Sequence, residues 1–406
     1  MKKTGILFIN PKTDVNPELP NLQLVYSATI EEKKGKDAKI IDLNSLRENE
    51  ERYLDKKSEK LLISIRPFSK KESDKIIKNY LKKYPKTKAY SVTGIIDVLC
   101  CYNFLDSSAL KEKKIQTIKY DEEFGDNIPF PNYELLDSIE VFKENWKTGK
   151  WNYPIMTSLG CPYQCIYCSS RNRKWKSRSP KNCYDELKAA KKKYDFQQFS
   201  LLDDVFNLDK ERAIEFCNLV KKLNVRWLCT NGLRADRFDE KLAKAMSESG
   251  CVHVGFGAES YNQEILDRIK KRLTTKQLDS AVDVAKKYFK GVHVFFIIGL
   301  PSSSYESDLE SLKWAIKKRV NAHFSYFVPF DEHYGEEGFY GESAKPVSEA
   351  YSKNLQEKIY KMTSHMRGDY DKGFFHAVVE RLRLIWLFDR KNIFSHIFDY
   401  LKKKIE

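Results

Sequence analysis

Between Tyr153 and Phe330, six short apolar runs alternate with amphipathic helical segments, and this alternation limits what the chain can fold into. The runs are Tyr153–Gly160, Phe196–Asp203, Arg226–Asn231, Val252–Ser260, Val292–Gly299 and His323–Phe330. Each has the length and the flanking turn residues of a strand. The segments between them keep the helical period. Ala213, Phe216, Cys217, Val220 and Leu223 share one face. Leu278, Ala281, Val282, Ala285 and Phe289 share another, after a capping box Thr274-x-x-Gln277. Leu309, Leu312, Ile316 and Val320 form a third, after Ser303-x-x-Glu306. Strands and helices in this order predict an α/β fold, an open (β/α)6 barrel. Such folds bind ligands at the carboxyl ends of their strands.

The turn after the first run carries Cys161, Cys165 and Cys168, spaced CxxxCxxC. Thiolates are the soft ligands that iron–sulfur clusters need. Structural zinc wants four ligands, usually in CxxC pairs. No fourth Cys or His lies close by, Cys183 being the nearest. Three thiolates leave one iron of a [4Fe–4S] cubane without a protein ligand, and an open iron points to chemistry.

At these residues the chain resembles the radical S-adenosylmethionine (SAM) superfamily, whose signature is CxxxCxΦC; Tyr167 fills the aromatic place. The resemblance implies that Cys161, Cys165 and Cys168 hold the cluster and that SAM chelates the open iron. It also implies reductive cleavage of SAM to a 5′-deoxyadenosyl radical. Later strand ends are similar to the family's successive motifs. Asp203-Asp204 precedes Val205, Phe206 and Asn207, and the third run closes on Thr230-Asn231-Gly232-Leu233-Arg234. The fourth closes on Gly255-Phe256-Gly257-Ala258-Glu259-Ser260, and the fifth on Gly299-Leu300-Pro301. Carried over by position, Asp203 and Asp204 serve the SAM ammonium, Glu259 the ribose hydroxyls, and Gly299 lies beside the adenine. Tyr167, Asn231 and Ser260 complete the expected SAM-binding set. Taken singly, each reads equally as an N-cap or a turn residue; four in register are harder to obtain by accident.

Residues 1–121 alternate strand and helix signals: Gly5–Asn10, Lys39–Leu43, Lys60–Arg66, Lys88–Gly94 and Ile115–Asp121 are the strand runs. Ser69-x-x-Glu72 opens a helix with Ile76, Ile77, Tyr80 and Leu81 on one face. This predicts a small doubly wound parallel sheet. No G-x-G-x-x-G follows the first strand, which removes support for a dinucleotide site. Together with Pro129-Phe130-Pro131, the segment is similar to the cobalamin-binding branch of the superfamily, where a flavodoxin-like domain precedes the barrel. The stretch Ile95–Leu105 lacks the glycines expected around that cofactor, and the first histidine of the chain is His253. Cobalamin binding and a docking domain without cofactor both stay open. Residues 122–150 read as a linker, 151–335 as the radical SAM barrel and 336–406 as a helical C-terminal cap.

Lysine and arginine number 72 against 57 acids, for a net charge of +15. The lysines come in short runs among acids, such as Lys191-Lys192-Lys193, and read as solvated surface. Nine cysteines without a paired framework indicate a reducing, cytoplasmic setting. The adjacent Cys100-Cys101 cannot supply the three N-terminal cysteines of a tRNA methylthiotransferase. Cys183, Cys217, Cys229 and Cys251 read as packing residues. The acidic, aromatic stretch Asp331–Gly341, with His333, is a candidate substrate loop or an exposed polar one.

Phe374–Phe388 reads as a helix apolar all round, which is buried or meets something apolar. A final helix with Ile393, Phe394, Ile397, Leu401 and Ile405 on one side caps the barrel or lies on a membrane surface. The function expected is functionalisation of an unactivated C–H bond by methylation, rearrangement or ring formation. The expected partners are a small-molecule or lipid-like substrate and a reductant such as flavodoxin or ferredoxin. The reading from a different class is a non-catalytic iron–sulfur or metal-sensing protein holding nucleic acid.

Overall fold

A computed structural model describes residues 4–12, 19–44, 51–64, 70–93, 116–168, 170–229, 231–327, 346, 348–363, 374–392 and 395–396. They form two compact units, one mainly Met1–Cys161 with Lys174–Asp204, the other Pro162–Arg173, Val205–Glu332 and Gly338–Glu406. Ser69, Ile95–Leu105, Cys100-Cys101, Asp331–Gly341 and most of the final helix lie outside the described residues.

The first unit begins with five parallel strands: β1 (Thr4–Asn10), β2 (Ala38–Asp42), β3 (Ser58–Ile63), β4 (Lys88–Thr93) and β5 (Gln116–Lys119). Their order is β2-β1-β3-β4-β5, the flavodoxin-like doubly wound arrangement expected from the sequence. Helix α1 (Leu22–Lys33) follows β1, and helix α2 (Lys70–Lys83) buries Ile76, Ile77 and Tyr80 against Leu7, Ile9, Leu61 and Ile63. The sequence reading passed over α1. Every residue from Leu22 to Ile30 is buried, so the helix has no polar face and no readable period. Its N-cap is Asn21, whose side chain accepts from Leu24 N at 3.2 Å.

The segment read as a linker contains helix α3 (Ile139–Thr148), with Phe142 and Trp146 buried. Trp146 and Tyr133 meet edge to face at 5.0 Å, and Trp146 meets Tyr153 at 5.2 Å. Tyr153 opens strand β6 (Tyr153–Ile155). A two-residue strand β7 (Ser158–Leu159) pairs antiparallel with β8 (Lys176–Ser177), helix α4 spans Pro180–Tyr194, and β9 (Gln198–Leu201) pairs parallel with β6. The first barrel run is therefore two short strands and not one through Gly160.

In the second unit, β10 (Arg226–Cys229), β11 (Cys251–Glu259), β12 (Val292–Ile298) and β13 (Asn321–Tyr326) pair parallel with their neighbours. Helices α5 (Lys210–Val220), α6 (Glu240–Glu248), α7 (Gln263–Arg268), α8 (Thr275–Tyr288) and α9 (Tyr305–Lys318) connect them. The expected six barrel strands are thus present in chain order. Thr274 and Gln277 make the expected capping box. The box read at Ser303 and Glu306 sits one residue on: Ser304 is the N-cap and Ser307 its partner. Ser303 is drawn back into the preceding turn, its N–H bonded to Leu300 O at 2.8 Å.

Helices α10 (Lys353–Thr363) and α11 (Phe374–Asp389) complete the C-terminal part. Leu384 and Ile385 of α11 are buried, whereas Trp386 is 61% and Leu387 57% exposed, so the helix is not buried all round. No helix among the described residues is long and apolar enough to cross a membrane.

Candidate active site

The first unit supplies Cys161 and the two acids. Asp203 follows β9 and is buried. Its carboxylate accepts Thr157 N at 2.6 Å, Thr157 Oγ1, and Ser158 Oγ at 2.7 Å. The first of these bonds occupies the Thr157 backbone N–H, two residues beyond the end of β6 at Ile155. Asp204 accepts Gly160 N at 2.7 Å. Gly160 has φ +85°, a left-handed conformation suited to glycine. Both acids therefore hold the backbone that runs into Cys161.

The second unit supplies Cys165, Tyr167 and Cys168, and here a four-residue segment after α7 acts as a rail. Ile269 O accepts Ile166 N at 3.1 Å, and Lys270 O lies 3.7 Å from Cys165 Sγ. Arg234 Nη2 donates to Lys271 O at 3.1 Å and Arg272 O at 2.9 Å. The same guanidinium sits 3.5 Å above the Tyr163 ring, a stacked cation–π contact. Lys270 and Arg272 hold φ of +56° and +52°, left-handed values uncommon outside glycine. The rail thus carries strain, which its bonds to the cysteine loop and to Arg234 offset.

Glu259 ends β11 with φ +66°. Its Oε1 accepts Lys271 Nζ at 2.8 Å and Tyr167 Oη at 3.1 Å, and Lys271 Nζ also donates to Tyr167 Oη at 2.9 Å. Glu259 and Lys271 are both buried. Burial pushes the Tyr167 phenol well above its usual pKa, with the charges of Glu259, Cys165 and Cys168 adding to the effect. Gly257 makes room for this knot: a Cβ there would lie 2.8 Å from Glu259 Oε1 and 3.2 Å from Lys271 Nζ.

The other expected residues are placed differently. Ser260 is buried and accepts Asn262 N at 3.2 Å, shaping the turn into α7. Asn231 is half-buried at the end of β10, beside Gly232 with φ +84°. Gly299 donates its N–H to Asp308 at 2.8 Å, and Asp308 also accepts Tyr351 Oη at 2.6 Å. Gly299 thus belongs to a buried polar group shared with Ser348, Tyr351 and Gln356. Lys271 and Arg234 were missing from the expected set. The only sequence signal for Lys271 is the run Lys270-Lys271-Arg272, which reads as solvated charge. Cys217, Cys229 and Cys251, read as packing residues, share one region: both other thiols act electrostatically on Cys251. Burial pushes Cys217 up to about 12, so it is inert as a thiolate.

Cys161, Cys165 and Cys168 are all free thiols; Cys161 and Cys168 are partly exposed and Cys165 is buried. That donor set fits an iron–sulfur cluster. The buried acid and the two cations of the second unit suit a ligand that carries both hydroxyls and charge, as SAM does. In the first unit, the order 2-1-3-4-5 places a crevice between β1 and β3, where flavodoxin-like folds bind cofactors. Asn10 and Ser64 stand at its rim, and Asn21 donates to both at 3.1 Å. All three are buried, and Asn10 also donates to Asp42 Oδ1 at 3.0 Å, so these polar groups are satisfied within the unit.

Residues 155–315 match the radical SAM superfamily. The chain is 36% identical over 213 residues to the "Uncharacterized methyltransferase PH0819" of Pyrococcus horikoshii, covering 50% of this chain and 45% of that protein. It is 31% identical over 185 residues to the cytidylyl-2-hydroxyethylphosphonate methyltransferase of Streptomyces wedmorensis, covering 43% of this chain and 35% of that one. The matched part therefore spans less than half the length of these relatives. Among solved structures, the radical SAM methyltransferase TsrM of Kitasatospora setae, with cobalamin and a [4Fe–4S] cluster, superposes at a TM-score of 0.63 and 15% identity. That alignment covers 80% of this chain and 72% of TsrM. OxsB, a cobalamin-dependent SAM radical enzyme, superposes at 0.58 and 14% identity, over 89% of this chain and 55% of its own. At these identities the likeness establishes the fold.

Proposed function

We propose that this chain, whose residues 155–315 form a radical SAM domain, cleaves SAM reductively and uses the radical to methylate an unactivated carbon of a small molecule. The observation that carries the reading is the buried Tyr167–Glu259–Lys271 knot, in which a residue of the cysteine signature bonds the strand-end acid. Cys161, Cys165 and Cys168 would hold a [4Fe–4S] cluster, which would supply the single electron that splits SAM. Glu259 is the acceptor for the ribose hydroxyls. Asp203 and Asp204 act indirectly: they hold Thr157, Ser158 and Gly160 and so aim the chain into Cys161. The rail Ile269–Arg272 bonds Cys165, Ile166 and Tyr167, the stretch that leads into Cys168. The protein's share is orientation and exclusion of water from the radical.

Methylation is favoured among the possible outcomes by the relatives' names and by the flavodoxin-like first unit. Cobalamin bound at the crevice between β1 and β3 would supply the methyl group.

The test is anaerobic reconstitution with iron and sulfide, then dithionite and SAM, with and without cobalamin, beside Cys165→Ala. Deoxyadenosine that vanishes in the variant supports SAM cleavage. Cobalamin-dependent S-adenosylhomocysteine supports methyl transfer. A wild-type protein that assembles no cluster sinks the proposal.

A further inference from the structure

Lys271 is the one buried cation in a basic run whose neighbours Lys270 and Arg272 are exposed. It is turned inward onto the Glu259 carboxylate, and its ammonium donates to Glu259 and Tyr167. Those two partners are not spread over the acid. Lys271 Nζ and Tyr167 Oη both bond the same oxygen, Oε1. Among the described residues, Glu259 Oε2 receives no hydrogen bond. A carboxylate at the end of a flexible side chain ordinarily exchanges its two oxygens by rotation about its last torsion. Here the two donors on Oε1 and the closed triangle with Tyr167 oppose that rotation. A buried carboxylate also needs a nearby cation to stay ionised. The backbone around the knot is built for it: Gly257 lacks the Cβ that would reach Oε1, and the carbonyls of Lys271 and Arg272 are gripped by Arg234.

We infer that Lys271 is a positioning residue for the nucleoside part of the ligand: it clamps Glu259 Oε1 and so presents Oε2 as the acceptor for a ribose hydroxyl. This rests on the SAM reading proposed above. The effect is on binding, because the lysine touches the acid and not the reacting atoms. Removing the lysine takes away one of the two donors that hold Oε1, so the carboxylate is free to turn and the oriented acceptor is lost. A second consequence concerns Gly257. A methyl group there has to displace Glu259 Oε1, which is the movable end of a side chain, so the strand is kept while the clamp is broken.

The experiment uses the anaerobically reconstituted full chain and measures SAM binding by calorimetry, before any reductant is added. Deoxyadenosine formation is then read as KM and saturated kcat. Iron content and thermal midpoint check that each variant is folded. Lys271→Met is expected to weaken the Kd for SAM by tenfold or more and raise KM in parallel, with saturated kcat within about threefold. Lys271→Arg, which keeps the charge, recovers most of the affinity. Gly257→Ala reproduces the weakened binding with every charge still present, and stands in if Lys271→Met fails to fold. Wild-type affinity in both Lys271→Met and Gly257→Ala overturns the inference, as does a loss confined to kcat. A wild-type protein that holds its cluster yet binds no SAM overturns the underlying reading instead.

Discussion

Asp203 grips Thr157 twice, through its backbone N–H at 2.6 Å and through its hydroxyl. The acid stands where the superfamily resemblance implies a contact to SAM, yet its oxygens are engaged with the chain that enters Cys161. Asp203→Ala removes the buried acceptor of three bonds from Thr157 and Ser158. The expected cost is on the order of 3 kcal/mol, with loss of iron retention at a temperature where the wild type keeps it. Chemical denaturation together with iron analysis checks both. An alanine variant of wild-type stability and iron content refutes the bracing role.

Gly299 has φ +76°, and a Cβ there would lie 2.7 Å from Gln356 Oε1 and 3.0 Å from Ser348 Cβ. Gly299→Ala is expected to cost about 2 kcal/mol from backbone strain and overpacking. It should also loosen the segment around Ser348 and Gln356. Hydrogen exchange at residues 348–363 reads this directly, and unchanged protection there speaks against the account.

Asp308 is buried, and burial pushes its carboxyl up from 3.8 to about 6. A raised folded-state pKa means that the fold favours the protonated form. The associated stability is complete below about 4 and is lost as pH rises through about 6. Asp308→Asn keeps an acceptor for Gly299 N and Tyr351 Oη but does not ionise. The midpoint of the variant should therefore gain on the wild type between pH 4 and pH 7, by about 3 kcal/mol at most. Parallel melting curves across that range decide it, and a constant offset counts against it.

His293 behaves oppositely. Burial, with His253 and His323 adding, pushes its imidazole down to about 4. Its ring lies 4.3 Å from that of His253. Here the unfolded chain binds the proton more readily, so the stability is present above about 6.5 and falls as pH drops toward 4. His293→Gln should lose less of its melting midpoint than the wild type between pH 7 and pH 5. An identical acid dependence in the two proteins would show that this imidazole is not what senses the proton.

How far the site was legible depends on what each residue type advertises. Cysteines at CxxxCxxC and an acid after two strand glycines are rare enough in combination to stand out. Tyr167 and Glu259, 92 positions apart, were both assigned to one ligand, and the structure brings them into contact. Lys271 sits between two exposed basic residues and looks like them in the sequence. Its burial comes from the left-handed turns on either side, which rotate the central side chain inward. Helix α1 was hidden for a related reason: amphipathic period is a surface signal, and a helix buried on all sides has none.

The sequence by itself determined the α/β class, the order of the strands along the chain, and the CxxxCxxC spacing of Cys161, Cys165 and Cys168. These follow from local period and spacing, which need only neighbouring residues. Only the tertiary structure decided which polar groups face each other. It gave Asp203 to Thr157, Gly299 to Asp308 and Lys271 to Glu259. Such pairings depend on burial and backbone direction far along the chain, and a charged or polar side chain carries no local mark of the partner that desolvation will force it to find.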